Sequence, residues 1–220
     1  MLFVKFEEYL HYEKKFSSNT VSAYLRDLKS FQFFLNQRGD KISREMNYSF
    51  IRQWIVHLSE NKYSKVSINR KIASLKSYFN FLVNIGELNS SPLKAHKNLK
   101  SSSNIVIPFS ETEIEKVFES FQFIDGNDRD KLIVELFYST GMRREELLSI
   151  KIINIDFDSH WIKILGKRDK ERIIPMLPKL SKSILNYISK YSPTEYLFES
   201  KKSKQLSSST IYRVIKKSFR

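Results

Sequence analysis

Residues Ser139–Ile150 read STGMRREELLSI. Gly141 interrupts an apolar helical run, Arg143 and Arg144 follow at once, and Glu145 and Glu146 lead into a second apolar run. Glycine ends helices because it takes the left-handed conformation without a Cβ clash. The pattern therefore predicts a helix over about Asp128–Thr140, a stop at Gly141, and a short helix over Arg143–Ser149. Leu132 and Leu136, with Ile133 and Phe137 beside them, should face inward. The stop lets the Arg143 side chain leave the helix rather than lie along it. A guanidinium stays charged and meets phosphate oxygens in a two-pronged way. Glu146, three residues on, shares its face and can hold it, and Glu145 suits the solvent-facing Arg144. Taken alone, such a cluster is more often a surface ion-pair group than a site.

Working outward, the period changes from helix to strand. The run INIDFDSHWIKIL (153–165) alternates and is β-branched, RIIPM (172–176) is a further short strand, and GKRDKE (166–171) reads as the hairpin turn between them. Ser110 followed by Glu113 forms a capping box ahead of Ile114, Val117 and Phe118. Helices return at about Lys179–Lys190 and Ser208–Phe219. This order predicts a mostly helical domain with a small three-stranded antiparallel sheet on one edge.

The first part carries helical stripes at Phe3, Phe6 and Leu10; at Val21, Tyr24, Leu28, Phe31 and Leu35; at Ile51, Trp54 and Leu58; and at Ile68, Ile72, Leu75, Phe79 and Leu82, with Gly86 where the last would end. Short polar links make these a compact four-helix bundle. From Leu88 to Pro108 the periodicity fails, and the stretch is rich in serine and lysine with no acid. The expected organisation is a bundle at 1–87, a basic linker at 88–108 that could also run along a phosphate backbone, and a second domain at 109–220.

Net charge is +14 with a pI near 9.7. A folded chain this basic fits a polyanion binder, although a Lys-rich codon bias accounts for part of it. Zero cysteines exclude disulfides and thiolate metal sites, which fits a reducing cytoplasm. No run of 18 apolar residues occurs, so a membrane span is not expected.

Lys167, after Gly166 in the turn GKRDKER, is the second candidate. A hairpin lysine is usually just solvated, yet a turn tip can also deliver a flexible ammonium into a groove. The stretch LFYSTGMRREELLSIKIINIDFDSHWIKILGKRDKERIIPM resembles the first half of the catalytic domain of tyrosine recombinases (the phage integrase family), nearest the Xer type and its XerC-like form. In that family an arginine follows Thr-Gly and one apolar residue, and a Glu-Leu pair comes shortly after. A Gly-Lys turn then precedes Lys-Glu-Arg and an apolar-Pro strand end. Arg143, Glu146, Leu147, Gly166 and Lys167 match at the family's separation. YLHYEKKFSSNTVSAYLRDLKSFQFFL and SINRKIASLKSYFNFLVNIG resemble the family's SAM-like core-binding bundle.

The resemblance implies cutting and rejoining of duplex DNA through a 3′-phosphotyrosyl link, with no ATP, metal or other cofactor. It assigns Arg143 to the scissile phosphate's non-bridging oxygens, Lys167 to general acid catalysis at the 5′-oxygen, and Glu146 to orientation. It also implies a duplex recombination site and a second recombinase subunit in a tetramer. The duty it points to is chromosome-dimer resolution at cell division. The family's catalytic domain goes on to a His-x-x-Arg motif, a further His or Trp and the tyrosine nucleophile. None of the four histidines here has Arg three residues later. Tyr212 falls in a segment like the helix before that motif, so no nucleophile is assigned within these residues. Two other readings stay open: a shortened relative that binds DNA without cutting it, and an integrase of a mobile element. Candidate DNA contacts are Lys65, Asn69, Arg70, Lys76 and Ser77, with Asn80 on the same polar face, which could equally be merely solvated. Asn19 and Thr20, in SSNT, lie at a helix start that could offer N–H groups to a phosphate or serve only as a cap.

Overall fold

A computed structural model describes residues 2–43, 46–101, 107–121, 126–166, 171–200 and 204–219. The chain divides into two compact units, Met1–Ile105 and Val106–Arg220.

In the first unit α1 (Leu2–Glu8) runs on into a π-helical turn, Tyr9–Glu13, followed by α2 (Ser18–Asn36), α3 (Tyr48–Glu60) and α4 (Lys65–Asn84). Ser17, Asn47 and Ser64 start α2, α3 and α4 by accepting a backbone N–H from Thr20, Ser49 and Ser67. These side chains satisfy donors that the first helical turn leaves unpaired. α4 stops where Gly86 takes φ +74°. The stripes read from the sequence meet in one core, with Phe6, Leu28, Phe31, Trp54, Leu75 and Phe79 essentially inaccessible. Each such side chain stabilises the fold by about 1.5–3 kcal/mol. Aromatic edges lock the seams: Phe31 lies 5.0 Å from Trp54 and Phe6 lies 5.1 Å from Tyr78, centroid to centroid.

One polar knot crosses this core. Asp27 on α2 is buried and accepts from Arg70 at 2.5 and 3.0 Å, from Lys71 at 3.2 Å and from Ser74 at 2.8 Å, all on α4. Lys71 also lies over the rings of Trp54 and Tyr63. A buried carboxylate is tolerable only with such partners.

The stretch expected to be an open linker is different in its first half. Leu88 and Leu93 are buried in the bundle core, and Asn69 clasps the backbone of Leu99 by two 2.9 Å hydrogen bonds. His96 Nδ1 meets the Tyr48 hydroxyl at 3.0 Å. The segment through Leu99 thus packs as part of the bundle, because two leucines and one amide clasp find partners there despite the absence of periodicity.

The second unit opens with α5 (Glu111–Ser120), started by the Ser110–Glu113 capping box. α6 (Asp128–Thr140) ends at Gly141, in the left-handed region at φ +60°. The short α7 (Arg144–Leu148) and a 3-10 turn (Ile152–Asn154) lead into β1 (Ile155–Asp156), β2 (Trp161–Leu165) and β3 (Glu171–Pro175). The sheet is antiparallel in the order β1-β2-β3, with Ile155 opposite Ile162 and Ile162 opposite Ile174. α8 (Pro178–Tyr191) and α9 (Ser208–Ser218) close the unit. Its core gathers Leu136, Leu147, Leu148, Ile162, Ile164, Ile174, Ile184 and Ile211. The chain is mainly helical with a small three-stranded sheet. Among the described residues no helix is long and apolar enough to cross a membrane.

Candidate functional site

The site begins at the turn between α6 and α7. The Gly141 N–H bonds to Phe137 O, Thr140 Oγ1 bonds back to Leu136 O, and the Met142 N–H bonds to Thr140 Oγ1. Met142 is buried. The backbone is therefore fixed on both sides of the glycine before it reaches Arg143, which is extended at φ −79°, ψ 155°. Leu147 and Leu148 anchor α7 in the core, so the turn presents Arg143 outward, with its side chain 76% exposed.

Glu146 is the hub. Its side chain is only 5% exposed and receives three N–H groups. Oε2 accepts the Arg143 backbone N–H at 2.6 Å and Arg172 Nη2 at 2.8 Å, and Oε1 accepts Arg143 Nη1 at 3.0 Å. The first bond is half a capping box; the other half cannot form because arginine has no acceptor. Burial pushes the Glu146 carboxyl pKa up, but the Arg143 backbone and guanidinium and the Arg172 guanidinium outweigh that and hold it below the usual range. The carboxylate is thus charged and pinned. Arg144 pairs instead with Glu145 at 3.1 Å, on the solvent side.

Arg172 went unread in the sequence. Strand alternation explains its position: Arg172, Ile174 and Met176 share the inner face, and the latter two are buried. Arg172 sits opposite Ile164 at the hairpin's far end, one pair before Leu165–Glu171. Its side chain points along the inner face to α7, whereas Lys163 and Glu171 pair on the outer face at 2.9 Å. The signal was present as a basic residue in phase with an apolar alternation. Its partner, 26 residues away, was not visible.

Lys167 lies outside the described residues, two positions past the end of β2. The bundle candidates separate into two groups. Lys65 and Lys76 are exposed and Ser77 half-buried. Lys76, Ser77 and Asn80 line one concavity with Lys14 and Lys94 and no carboxylate. Asn69 bonds the Leu99 backbone and Arg70 bonds Asp27, so both side chains also hold the fold, while the Arg70 side chain stays 51% exposed. Thr20 Oγ1 meets Ser17 Oγ at 2.9 Å at the start of α2, where Asn19 is exposed. Tyr212 is exposed on α9. Among the described residues no cluster of His, Asp or Glu is arranged to hold a metal ion.

Fold and site together define a helical bundle joined to an α+β unit that displays a carboxylate-braced arginine. Residues 3–86 match the family described as "Phage integrase, N-terminal SAM-like domain", and residues 108–220 match "Phage integrase family". A tyrosine recombinase of Pseudothermotoga lettingae is 33% identical over 217 residues, covering 96% of this chain and 74% of that protein. Tyrosine recombinase XerC of Pediococcus pentosaceus is 32% identical over 200 residues (86% of this chain, 66% of that protein). XerC of Staphylococcus aureus strain JH9 is 31% identical over 187 residues (84% and 62%). The chain thus spans 62–74% of the length of these relatives. Among solved structures, a lambda integrase (75–356) dimer bound to a COC′ core site is similar with a TM-score of 0.76 at 16% identity, over 99% of this chain and 79% of that one. The Tn1549 transposon integrase in complex with a circular intermediate DNA gives 0.74 at 15%, over 99% and 78%; these two likenesses concern the fold alone. The chain belongs to the tyrosine recombinase (phage integrase) family.

Proposed function

We propose that this chain grips duplex DNA for a tyrosine recombinase that cuts and rejoins at a specific site. The observation that carries the reading is an outward arginine, Arg143, braced by a buried, ionised Glu146 at the hairpin end from which the chain enters Gly166–Lys170. A phosphate gaining a fifth oxygen needs charge already aimed at it, and a pinned guanidinium supplies that without reorganising. In the whole protein a tyrosine oxygen bonds to phosphorus, the bond from phosphorus to the 5′-oxygen breaks, and that oxygen takes a proton. Arg143 holds the non-bridging oxygens and Glu146 orients Arg143. Lys167 gives the proton, since an ammonium can release one and a guanidinium cannot. A 5′-hydroxyl from the partner duplex then attacks the phosphotyrosyl ester and restores the backbone.

DNA contact is shared between the two units, which correspond to a core-binding and a catalytic domain. In the bundle, Lys65, Lys76 and Ser77 touch the duplex, with Asn19 and Thr20 at the start of α2. Supporting this are the net charge of +14 and the carboxylate-free concavity around Lys76. Chromosome-dimer resolution in the cytoplasm, within a tetramer containing a second recombinase subunit, is the duty that the likeness to XerC proteins favours. The test is binding of the 220-residue chain to a 30-base-pair duplex, of about that length, across a salt series. Affinity should fall steeply, with a log–log slope of about −0.9 per phosphate neutralised; a flat response refutes the reading.

A further inference from the structure

The Arg143–Glu146–Arg172 cluster holds more positive charge than its carboxylate requires. One buried carboxylate would be balanced by one guanidinium, yet two converge on it, leaving a surplus of one positive charge. Among the described residues neither guanidinium has a second carboxylate within salt-bridge distance. The neighbouring acids are engaged elsewhere: Glu145 with Arg144 and Ser208, Glu171 with Lys163. Both arginines keep N–H groups facing solvent, since their side chains are 76% and 45% exposed. A guanidinium has five such donors in a fixed fork. Arg143 Nη1 and Arg172 Nη2 each bond one carboxylate, so they lie within about 8 Å of each other, two hydrogen bonds plus the width of the carboxylate. That spacing suits two donors reaching different oxygens of one tetrahedral phosphate.

The shared oxygen matters as well. Oε2 takes both the Arg143 backbone N–H and Arg172 Nη2. Those two bonds fix the plane of the carboxylate, which leaves Oε1 aimed at Arg143 Nη1. Without Arg172 the carboxylate could turn about its last bond and release the Arg143 guanidinium.

We propose that Arg172 and Arg143, joined through Glu146, form one two-guanidinium site for a single backbone phosphodiester. The site rests on the reading that Arg143 faces DNA phosphate, and it adds a second phosphate-binding arginine from β3. Its ligand class is the phosphodiester anion.

Two measurements on the 220-residue chain test it. In the first, dimethyl phosphate is titrated while the arginine Nε–Hε resonances are followed by NMR, with Arg143→Lys and Arg172→Lys used for assignment. Both resonances should move with one shared dissociation constant; movement of Arg143 alone overturns the two-arginine site and leaves the DNA reading standing. In the second, duplex affinity is followed against salt. Arg172→Met should lower the log–log slope by about one unit, as Arg143→Ala does. An unchanged slope for Arg172→Met beside a lowered slope for Arg143→Ala refutes the proposal alone. Unchanged slopes for both variants refute the phosphate reading of Arg143 too. If Arg172→Met fails to fold, the titration of the unmodified chain decides.

Discussion

Replacing Asp27 by alanine should cripple the bundle while leaving the second unit folded. Asp27 is 2% exposed and carries four hydrogen bonds from three side chains of α4. Its removal strands Lys71, whose side chain is 10% exposed and whose ion-pair partner is Asp27, and leaves Ser74 with only a 3.4 Å bond to Arg70 O. Removing one partner of a buried ion pair costs about 3–5 kcal/mol, because the remaining charge is desolvated without compensation. A domain of this size holds only about 5–15 kcal/mol in all. At about 4–8 °C per kcal/mol, the melting transition of the first unit should drop by at least about 12 °C. Asp27→Asn keeps the shape and one acceptor, so it should cost less, about 1.5–3 kcal/mol for lost charge-assisted bonds. Thermal and urea denaturation, followed by the fluorescence of Trp54 in this unit and Trp161 in the other, separate the two transitions. A loss below about 1 kcal/mol for Asp27→Ala would refute the claim that this knot ties α2 to α4.

Other expectations concern the site and the docked segment. In the complete enzyme Arg143→Ala should slow cleavage at least about 10²-fold, beyond any weakening of binding from the lost phosphate contact, and Lys167→Ala should be rescued by a 5′-bridging sulfur substrate, whose leaving group needs no proton. Retained cleavage in the first case, or no rescue in the second, removes that residue from its role. His96 has its pKa lowered from 6.5 by burial and then by Lys76. Its contribution to stability is therefore complete above about pH 6.5 and declines as pH falls through that value toward the lower folded pKa. Amide protection over residues 93–99, corrected for the intrinsic pH dependence of exchange, should fall on acidification across that window, and His96→Gln should flatten the response; pH-independent protection would contradict it. Asn69→Ala removes both bonds to Leu99, and limited proteolysis near residues 97–101 should become faster, with an unchanged rate counting against the clasp.

The helices were readable because their determinants are local. Serine caps, the Ser110–Glu113 box and the Gly141 stop act within one turn of chain, and the apolar stripes fall at helical spacing. The Arg143–Glu146 pair was legible for the same reason, being three residues apart. The docking of residues 88–99 on the bundle is not legible in the sequence because a packed irregular segment has no period; Leu88 and Leu93 sit in the core and the Asn69 amide clasps Leu99. That Asn69 and Arg70 also bond Leu99 and Asp27 was not legible, because the sequence does not say which segment lies opposite that face.

The sequence by itself determined which stretches are helical and where several of them are capped or stopped, the excess of positive charge, and the turn that turns Arg143 outward; the run 153–165, read as one alternating stretch, is a 3-10 turn, the short β1 and β2. Only the tertiary structure decided that Arg172 reaches Glu146 across 26 residues and that Asp27 gathers Arg70, Lys71 and Ser74 from more than 40 residues away. The physical reason is range: capping and periodicity are settled within a few bonds of backbone, whereas the partner of a buried charge depends on which faces the core brings together.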